Sequence, residues 1–141
     1  MGERYGVKLV RVEARKREGL DLAFASMKKQ RADAFVVMVD ATLASEAQHI
    51  IALADRYMLP GIYSYREFVE AGGLMSYGLS YRDYFKGVSR YVDKLLKGTK
   101  PENLPIEQPS KIEFVINLAT ARRLGVKIPQ ELLLRADAQL D

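Results

Sequence analysis

Four side chains with useful chemistry lie within or directly after segments that have the composition of short strands. Asp40 follows the apolar run 34–39, Ser64 and Tyr65 end the next such segment, and Tyr77 lies in a glycine-flanked one. Open α/β sheets bind ligands at the carboxyl ends of their strands. A carboxylate there can hold an ammonium group, and hydroxyls and aromatic rings can hold the body of a small organic ligand. Asp40, Ser64, Tyr65 and Tyr77 are therefore the candidate ligand-binding residues.

The same positions also have a purely structural interpretation. Asp40 lies where a helix N-cap is expected, and Ser64 and Ser76 have the composition of ordinary turn residues. Position along the chain does not separate the two interpretations, so both stay open at this point.

The sequence lacks the familiar motifs of catalytic and metal sites. Its single histidine, His49, lies in the middle of a helical pattern, and there is no cysteine, no HExxH motif and no Gly-Lys-Ser phosphate loop. We therefore predict no catalytic residue, no metal site and no cofactor. A small α/β enzyme with its site at the strand ends is one of three functional hypotheses, and His49 is a poor candidate for its titrating group.

The first half of the chain has the pattern strand, helix, strand, helix, strand. Short connections between such elements are typical of right-handed βαβ units, which build a parallel sheet. The predicted elements are an edge strand at Val7–Glu13, a helix carrying Leu20, Ala23, Phe24 and Met27, a strand at 34–39 covered on both faces, a helix with Leu43, Ala47, Ile50, Ile51, Ala54 and Met58 on one face, and a strand beginning at Ile62.

The second half begins with a strand that includes Met75 and a helix from Ser80 to Lys97. Ser80 is its predicted N-cap, and Gly98 takes the position after its end. A further strand is predicted at Ile112–Ile116, followed by a short helix that Asn117 caps and a closing helix. The apolar positions of the closing helix, which opens at Pro129, are Leu132, Leu133, Ala136 and Leu140.

Length and charge limit the class of protein. At 141 residues the chain has the size of one domain, and 48% of its residues are hydrophobic. The net charge of +4 is spread along the chain and forms no basic stripe, so we expect no nucleic-acid partner. The N-terminus lacks the apolar region of a secretory signal, so the expectation for the chain as written is the cytoplasm.

Several short motifs, in order and at fixed spacing, resemble one family. The segments 71–78, 91–98, 104–109 and 114–118 are similar to those of ABC-transporter substrate-binding proteins of the tryptophan/tyrosine-binding type. The resemblance implies a type I periplasmic-binding-protein-like α/β fold, an amino-acid-like or small aromatic solute, an ABC permease as partner and a periplasmic or lipoprotein location. It implies binding without catalysis.

The resemblance covers only the C-terminal part of a family member. It implies that residues 1–74 and 110–141 belong to the second of two domains. Residues 75–109 would supply a hinge strand at Met75–Leu79, a helix that packs on the first domain, and a crossing segment at Ile106–Pro109. On this basis we expect a truncated binding protein whose solute binding is in question, since a two-walled cleft needs both walls.

The helix over Tyr81–Lys97 carries a wide aromatic and aliphatic face. If no first domain covers it, this face is a large apolar patch for a monomer. We therefore predict a homo-oligomer assembled through this helix. The alternative function is an oligomeric structural or interaction module without a ligand or a transport role.

Overall fold

The computed structural model describes residues 5–107 and 111–141. Seven α-helices and five strands lie in these ranges, with a short 3₁₀ turn at Pro101–Asn103. In chain order they are α1 (Arg17–Lys29), β1 (Phe35–Val36), α2 (Ala41–Ser45), α3 (Ala47–Tyr57), β2 (Gly61–Tyr63), α4 (Arg66–Glu70), β3 (Met75–Leu79), α5 (Tyr81–Leu96), β4 (Ile112–Asn117), α6 (Leu118–Arg123), α7 (Gln130–Arg135) and β5 (Ala138–Leu140).

The five strands form one sheet in the order β1-β2-β3-β4-β5. β1, β2 and β3 are parallel, β4 runs antiparallel to β3, and β5 is parallel to β4. The predicted α/β class and its parallel βαβ units are confirmed. One antiparallel strand makes the sheet mixed.

One face of the sheet is covered by helices. Tyr63, Ser76 and Val115 are paired neighbours across β2, β3 and β4, so their side chains share this face, and all three are almost completely buried. Phe35 and Val37 extend the same face into β1. The main core packs Phe35, Val37 and Tyr63 against residues of α1, α3 and α4, namely Leu20, Phe24, Met27, Ile50, Ile51, Leu53 and Phe68.

The opposite face is progressively uncovered toward β1. On this face Ile116 pairs with Met75, Met75 with Ile62, and Ile62 with Val36. From β4 to β1, Ile116, Ile62 and Val36 are 0%, 39% and 64% exposed. Met38 and Val39, just beyond β1, are also exposed. The prediction that the run 34–39 is a strand covered on both faces is therefore wrong, because β1 is an edge strand with helices on one side only.

The predicted strand at Val7–Glu13 is also wrong. In this structure the segment has no regular secondary structure and pairs with no described strand. Its alternating composition suits a strand, but a strand exists only where a neighbour supplies hydrogen bonds.

Two predicted helices differ from the structure. The helix expected to carry Leu43 to Met58 is divided at Glu46 into α2 and α3, and Met58 adopts a left-handed C-cap conformation instead of continuing the face. The closing helix ends at Arg135, so Leu140 lies in β5. That last strand pairs with a segment more than twenty residues away, a contact that local periodicity does not reveal.

Helix α5 agrees closely with its prediction. The Ser80 hydroxyl accepts a hydrogen bond from the Asp83 amide at 3.4 Å, and Gly98 has a positive φ of 90° directly after the C-cap. None of its residues is buried. The segment Ile106–Pro109, predicted to cross back, falls partly outside the described residues.

Candidate functional site

The carboxyl ends of β1, β2 and β3 lie along one edge of the sheet because these strands are parallel. β4 runs the other way, so its amino end at Ile112 comes to the same edge. We call this the carboxyl edge. Three of the four predicted ligand-binding residues, Asp40, Ser64 and Tyr65, follow strands that end here.

Asp40 is the N-cap of α2. Its Oδ1 accepts a hydrogen bond from the Leu43 amide at 3.0 Å. This bond satisfies one of the free N–H groups at the helix start. Oδ1 therefore has the helix-capping role that the structural interpretation gave to Asp40. Oδ2 makes no hydrogen bond to any residue within 5–107 or 111–141, and the side chain is exposed. Asp40 can therefore cap the helix and still present a charged oxygen to a ligand.

Ser64 joins the ends of two strands. Its Oγ donates a hydrogen bond to the carbonyl oxygen of Val37 at 2.8 Å, which ties the segment after β2 to the segment after β1. The chain also passes very close to β3 here, since a Cβ on Gly78 would lie 1.9 Å from the Ser64 carbonyl oxygen. The Ser64 hydroxyl thus positions the carboxyl edge, and only a glycine at 78 permits the approach.

Tyr65 lies against the first turn of α5. Its ring stacks on that of Tyr81, with centroids 4.5 Å apart and planes 19° from parallel. The neighbouring Tyr65 hydroxyl, followed by desolvation, raises the pKa of Tyr81 to about 12. Both rings are partly exposed. The pair forms a two-ring aromatic surface next to Ser64.

Tyr77 lies on the other face of the sheet. Gly78 faces the Ser64 backbone, and successive residues of a strand point to opposite faces, so the Tyr77 side chain points away from Ser64. Its ring is 59% exposed and meets the Phe114 ring edge-on at 6.1 Å. The four predicted residues therefore do not form one cluster: the structure groups Ser64 and Tyr65 with Tyr81 and separates Tyr77 from them.

Two ion-pair groups beside the carboxyl edge were missed by sequence reasoning. Lys111 Nζ lies 2.9 Å from Asp83 Oδ2 and is the main cause of the lowered pKa of Asp83. Arg66 pairs with Glu70 at 2.7 Å and with Glu113 at 2.8 Å. The i,i+4 spacing of Arg66 and Glu70 is a readable signal. The long-range pairs Lys111–Asp83 and Arg66–Glu113 have no such signal in the sequence, because β3, α5 or both separate the partners along the chain.

No group of three or more His, Cys, Asp or Glu suited to a metal ion occurs in the part of the chain that the structure describes. A cavity of about 640 Å³ lies beside β1, and Asp40 is the one predicted ligand-binding residue that lines it. Within the same described ranges, none of the helices has the length and apolar character that a membrane crossing requires.

The chain resembles solved structures over almost its whole length. A conserved domain protein from Vibrio cholerae O1 biovar El Tor is 28% identical, with a TM-score of 0.85; the match covers 98% of this chain and 46% of that one. The ABC domain in complex with L-Trp from Streptococcus pneumoniae is 26% identical, also with a TM-score of 0.85, and the match covers 98% and 48%.

A ligand-free, open substrate binding protein with adhesive properties from Clostridium difficile shares the fold at 18% identity and a TM-score of 0.65. The chain spans about half the length of each of these structures. The comparison with curated proteins gave no match.

A family model described as "ABC transporter substrate binding protein" matches residues 1–140. This match includes every strand and helix of the fold, together with the carboxyl edge. The chain therefore belongs to the ABC transporter substrate binding protein family.

Proposed function

We propose that this protein is the solute-binding component of an ABC transporter and that its solute is a small aromatic amino acid. The observation that carries the proposal is the stacked Tyr65–Tyr81 pair at the carboxyl edge, next to Ser64. An aromatic pair with one open side can stack a further ring, and such stacking adds about 0.5–1.5 kcal/mol beyond the burial of the ring surface.

Charge at the carboxyl edge supports an amino acid as the solute. Asp40 offers its second carboxylate oxygen to an ammonium group. The Ser64–Val37 hydrogen bond ties the segment after β2, which carries Ser64 and Tyr65, to the segment after β1, which leads to Asp40. The neighbour from Streptococcus pneumoniae is in complex with L-Trp, a solute with both an aromatic ring and an ammonium group. Tyr77 remains part of the proposal, although its side chain lies on the opposite face of the sheet. It contacts a ligand at the carboxyl edge only if a second lobe closes over that edge.

The proposal divides the chain between two lobes. Residues 1–74 and 110–141 belong to one lobe, and residues 75–109 supply a hinge strand and a helix for the other. Helix α5 supports this division, because its apolar face is bare although its sequence is amphipathic. The permease of an ABC transporter is then the partner, on the extracytoplasmic side of the membrane, and the protein binds without catalysing a reaction.

Thermal unfolding with added amino acids tests the proposal. L-Trp, L-Tyr and L-Phe should each raise Tm, with L-Leu and D-Trp as comparisons, because a ligand that binds only the folded state stabilises it by about 4 kcal/mol at a thousandfold excess over Kd. If none of the aromatic amino acids moves Tm or gives heat on titration, the proposal is wrong.

Two variants assign the contacts. Asp40→Asn removes the charge and keeps an excellent N-cap, so it should weaken L-Trp binding without unfolding α2. Tyr65→Leu removes the ring and keeps an apolar side chain. Unchanged affinity in Asp40→Asn would remove this carboxylate from the site, and unchanged affinity in Tyr65→Leu would remove the aromatic pair.

A second function is favoured by one specific observation. The face of α5 exposes Tyr84, Phe85, Val88, Val92, Leu95 and Leu96, which is the pattern of a helix that packs on a partner. We propose as the alternative an oligomeric interaction module that assembles through α5 and binds no solute. A homodimer in light scattering that Phe85→Arg dissociates, together with the absence of any amino-acid effect on Tm, would favour this module.

A further inference from the structure

The aromatic surface at the carboxyl edge is carried by the starts of two helices. Tyr65 is the N-cap of α4, and Tyr81 is the first residue of α5. Their rings stack with centroids 4.5 Å apart, and both are partly exposed. Aromatic stacking is favourable only over a narrow range of ring separations and angles. The surface therefore depends on what holds the two helix starts relative to each other.

Core packing does not hold the start of α5, because none of the residues of this helix is buried. The covalent link through Ser80 to β3 sets where the helix begins but leaves its direction free. Two polar contacts with Lys111 restrict that direction. The Ser80 amide donates to the Lys111 carbonyl oxygen at 3.4 Å, and Lys111 Nζ lies 2.9 Å from Asp83 Oδ2. Lys111 thus contacts the chain on both sides of Tyr81.

The start of α4 is tied to the same strand end. Arg66, the first residue of α4, donates from Nη1 to Glu113 Oε1 at 2.8 Å and from Nε to Glu70 Oε1 at 2.7 Å. Charge-assisted bonds from two nitrogens of one planar guanidinium group fix its orientation. Because Arg66 directly follows Tyr65, the bond to Glu113 restrains the backbone that carries the Tyr65 ring.

The amino end of β4 therefore supports both rings. Lys111 directly precedes β4 and Glu113 is its second residue, and β4 pairs with β3 from Ile112 to Ile116. Side chains that are held by a regular element keep a ligand surface in place more precisely than side chains on a loop. Largely exposed ion pairs contribute little to global stability, so orientation is the effect expected of these two pairs.

We propose that Lys111 and Glu113 are the positioning residues of the aromatic surface. Through one ion pair each, they hold the two helix starts so that the rings of Tyr65 and Tyr81 stay in the stack on which the ring of the solute lies. The consequence for the solute rests on the proposed function, whereas the ring contact that the two residues maintain is a property of the protein alone.

Nuclear magnetic resonance of the protein with ¹³C-labelled tyrosine measures the ring contact without a solute. Lys111→Met and Glu113→Met each remove one ion pair and keep an unbranched side chain. In both variants the nuclear Overhauser contacts between the two rings should weaken. The pKa of Tyr81, which the Tyr65 hydroxyl raises to about 12, should fall toward its ordinary value. Loss of the Lys111 charge alone would raise this pKa, so a fall reports the ring contact.

Two variants with the same substitutions are the matched controls. Lys97→Met breaks the ion pair with Asp93, which has the same distance of 2.9 Å between Nζ and Oδ2 but lies at the far end of α5. Glu70→Met removes the other carboxylate of Arg66, which lies within α4. Both controls should keep the ring contacts. Thermal unfolding should show all four variants to be folded.

Titration with L-Trp connects the ring contact to the solute. The affinity should fall about two- to tenfold in Lys111→Met and Glu113→Met, which is the range that the loss of one aromatic contact gives. It should stay unchanged in Lys97→Met and Glu70→Met.

Several results would overturn the proposal. One is unchanged ring contacts and an unchanged Tyr81 titration in both Lys111→Met and Glu113→Met, and another is an equal loss in these variants and their controls. Ring contacts that weaken while L-Trp affinity stays the same would remove the two residues from the solute site. If the wild type binds no aromatic amino acid, the proposed function is wrong, and the ring contacts alone still decide whether Lys111 and Glu113 position the stack.

Discussion

The rings of Tyr65 and Tyr81 stack at 4.5 Å, although sixteen positions and the whole of β3 separate them in the sequence. Tyr65 is the N-cap of α4 and Tyr81 is the first residue of α5. The contact therefore joins two helix starts that the parallel strands β2 and β3 bring to one edge. It is the feature from which a ligand surface can be built.

The first prediction concerns the phenol of Tyr81. The Tyr65 hydroxyl is the main cause of its raised pKa, so Tyr65→Phe should lower the pKa of Tyr81 from about 12 toward its ordinary value. The measurement is a pH titration of ¹³C-labelled tyrosine by nuclear magnetic resonance, with the Tyr81 signal assigned from Tyr81→Phe. An identical Tyr81 titration in the wild type and Tyr65→Phe would contradict the contact.

The second prediction concerns stability at alkaline pH. Burial raises the pKa of Tyr63 above its value of about 10 in the unfolded chain, with the nearby charge of Asp55 as a lesser cause. The stabilisation that Tyr63 provides is thus fully present below pH ~10 and decreases as the pH rises further, because the unfolded state loses that proton first.

The variant Tyr63→Phe isolates this effect, since it removes the ionising hydroxyl and keeps the ring stacked on Phe68. Urea unfolding between neutral and alkaline pH should show a shallower loss of unfolding free energy in the variant than in the wild type. Parallel curves for the two proteins would show that Tyr63 does not ionise on unfolding.

The third prediction concerns Gly78. Gly78→Ala would place a Cβ 1.9 Å from the Ser64 carbonyl oxygen, so β3 or the segment after β2 must move. We expect a loss of about 3 kcal/mol in unfolding free energy, the upper range for overpacking. Gly87→Ala is the control, because Gly87 lies within α5 with only the tip of Arg90 nearby. Alanine there should stabilise the protein by about 0.5–1 kcal/mol.

A mild effect of Gly78→Ala, within about 0.5 kcal/mol of the wild type, would mean that the chain after Ser64 moves freely relative to β3. The Ser64–Val37 hydrogen bond would then not fix the carboxyl edge. Denaturant unfolding of both glycine variants under one set of conditions decides the matter.

The fourth prediction compares two buried hydroxyls. Ser76 Oγ is buried and has no hydrogen-bond partner among the described residues, whereas Thr120 Oγ1 donates to the Gly72 carbonyl at 2.9 Å. Ser76→Ala should raise the unfolding free energy by about 1 kcal/mol, because it removes an unsatisfied polar group. Thr120→Val keeps the shape and should lower it by about 1 kcal/mol, because it leaves the Gly72 carbonyl without this donor.

Calorimetric unfolding of the two variants measures both changes. A destabilised Ser76→Ala would indicate that a hydrogen bond to the Ser76 hydroxyl exists in solution. Changes of the same sign in the two variants would show that burial alone, and not hydrogen-bond satisfaction, governs these sites.

Local sequence determined the elements whose signals lie within a few residues. The four residues Leu20, Ala23, Phe24 and Met27 recur at helical spacing and are the buried face of α1. The Ser80 N-cap of α5 and the Asn117 N-cap of α6 are side chains that accept hydrogen bonds from amides three residues away. These features could be predicted because helix periodicity and capping depend on neighbours in the chain.

Tertiary structure decided what depends on pairing. Val7–Glu13 has the composition of a strand but is not one, because no described strand lies beside it. Ala138–Leu140 resembles the end of a helix but is a strand, because β4 lies beside it and pairs with it. Tyr65 and Tyr77 were equal candidates in the sequence. The register of β3 against its neighbours puts Tyr77 on one face of the sheet, and the stacking on α5 puts Tyr65 at the carboxyl edge. Register and strand order are long-range properties, so the candidate residues came from the sequence and their grouping came from the fold.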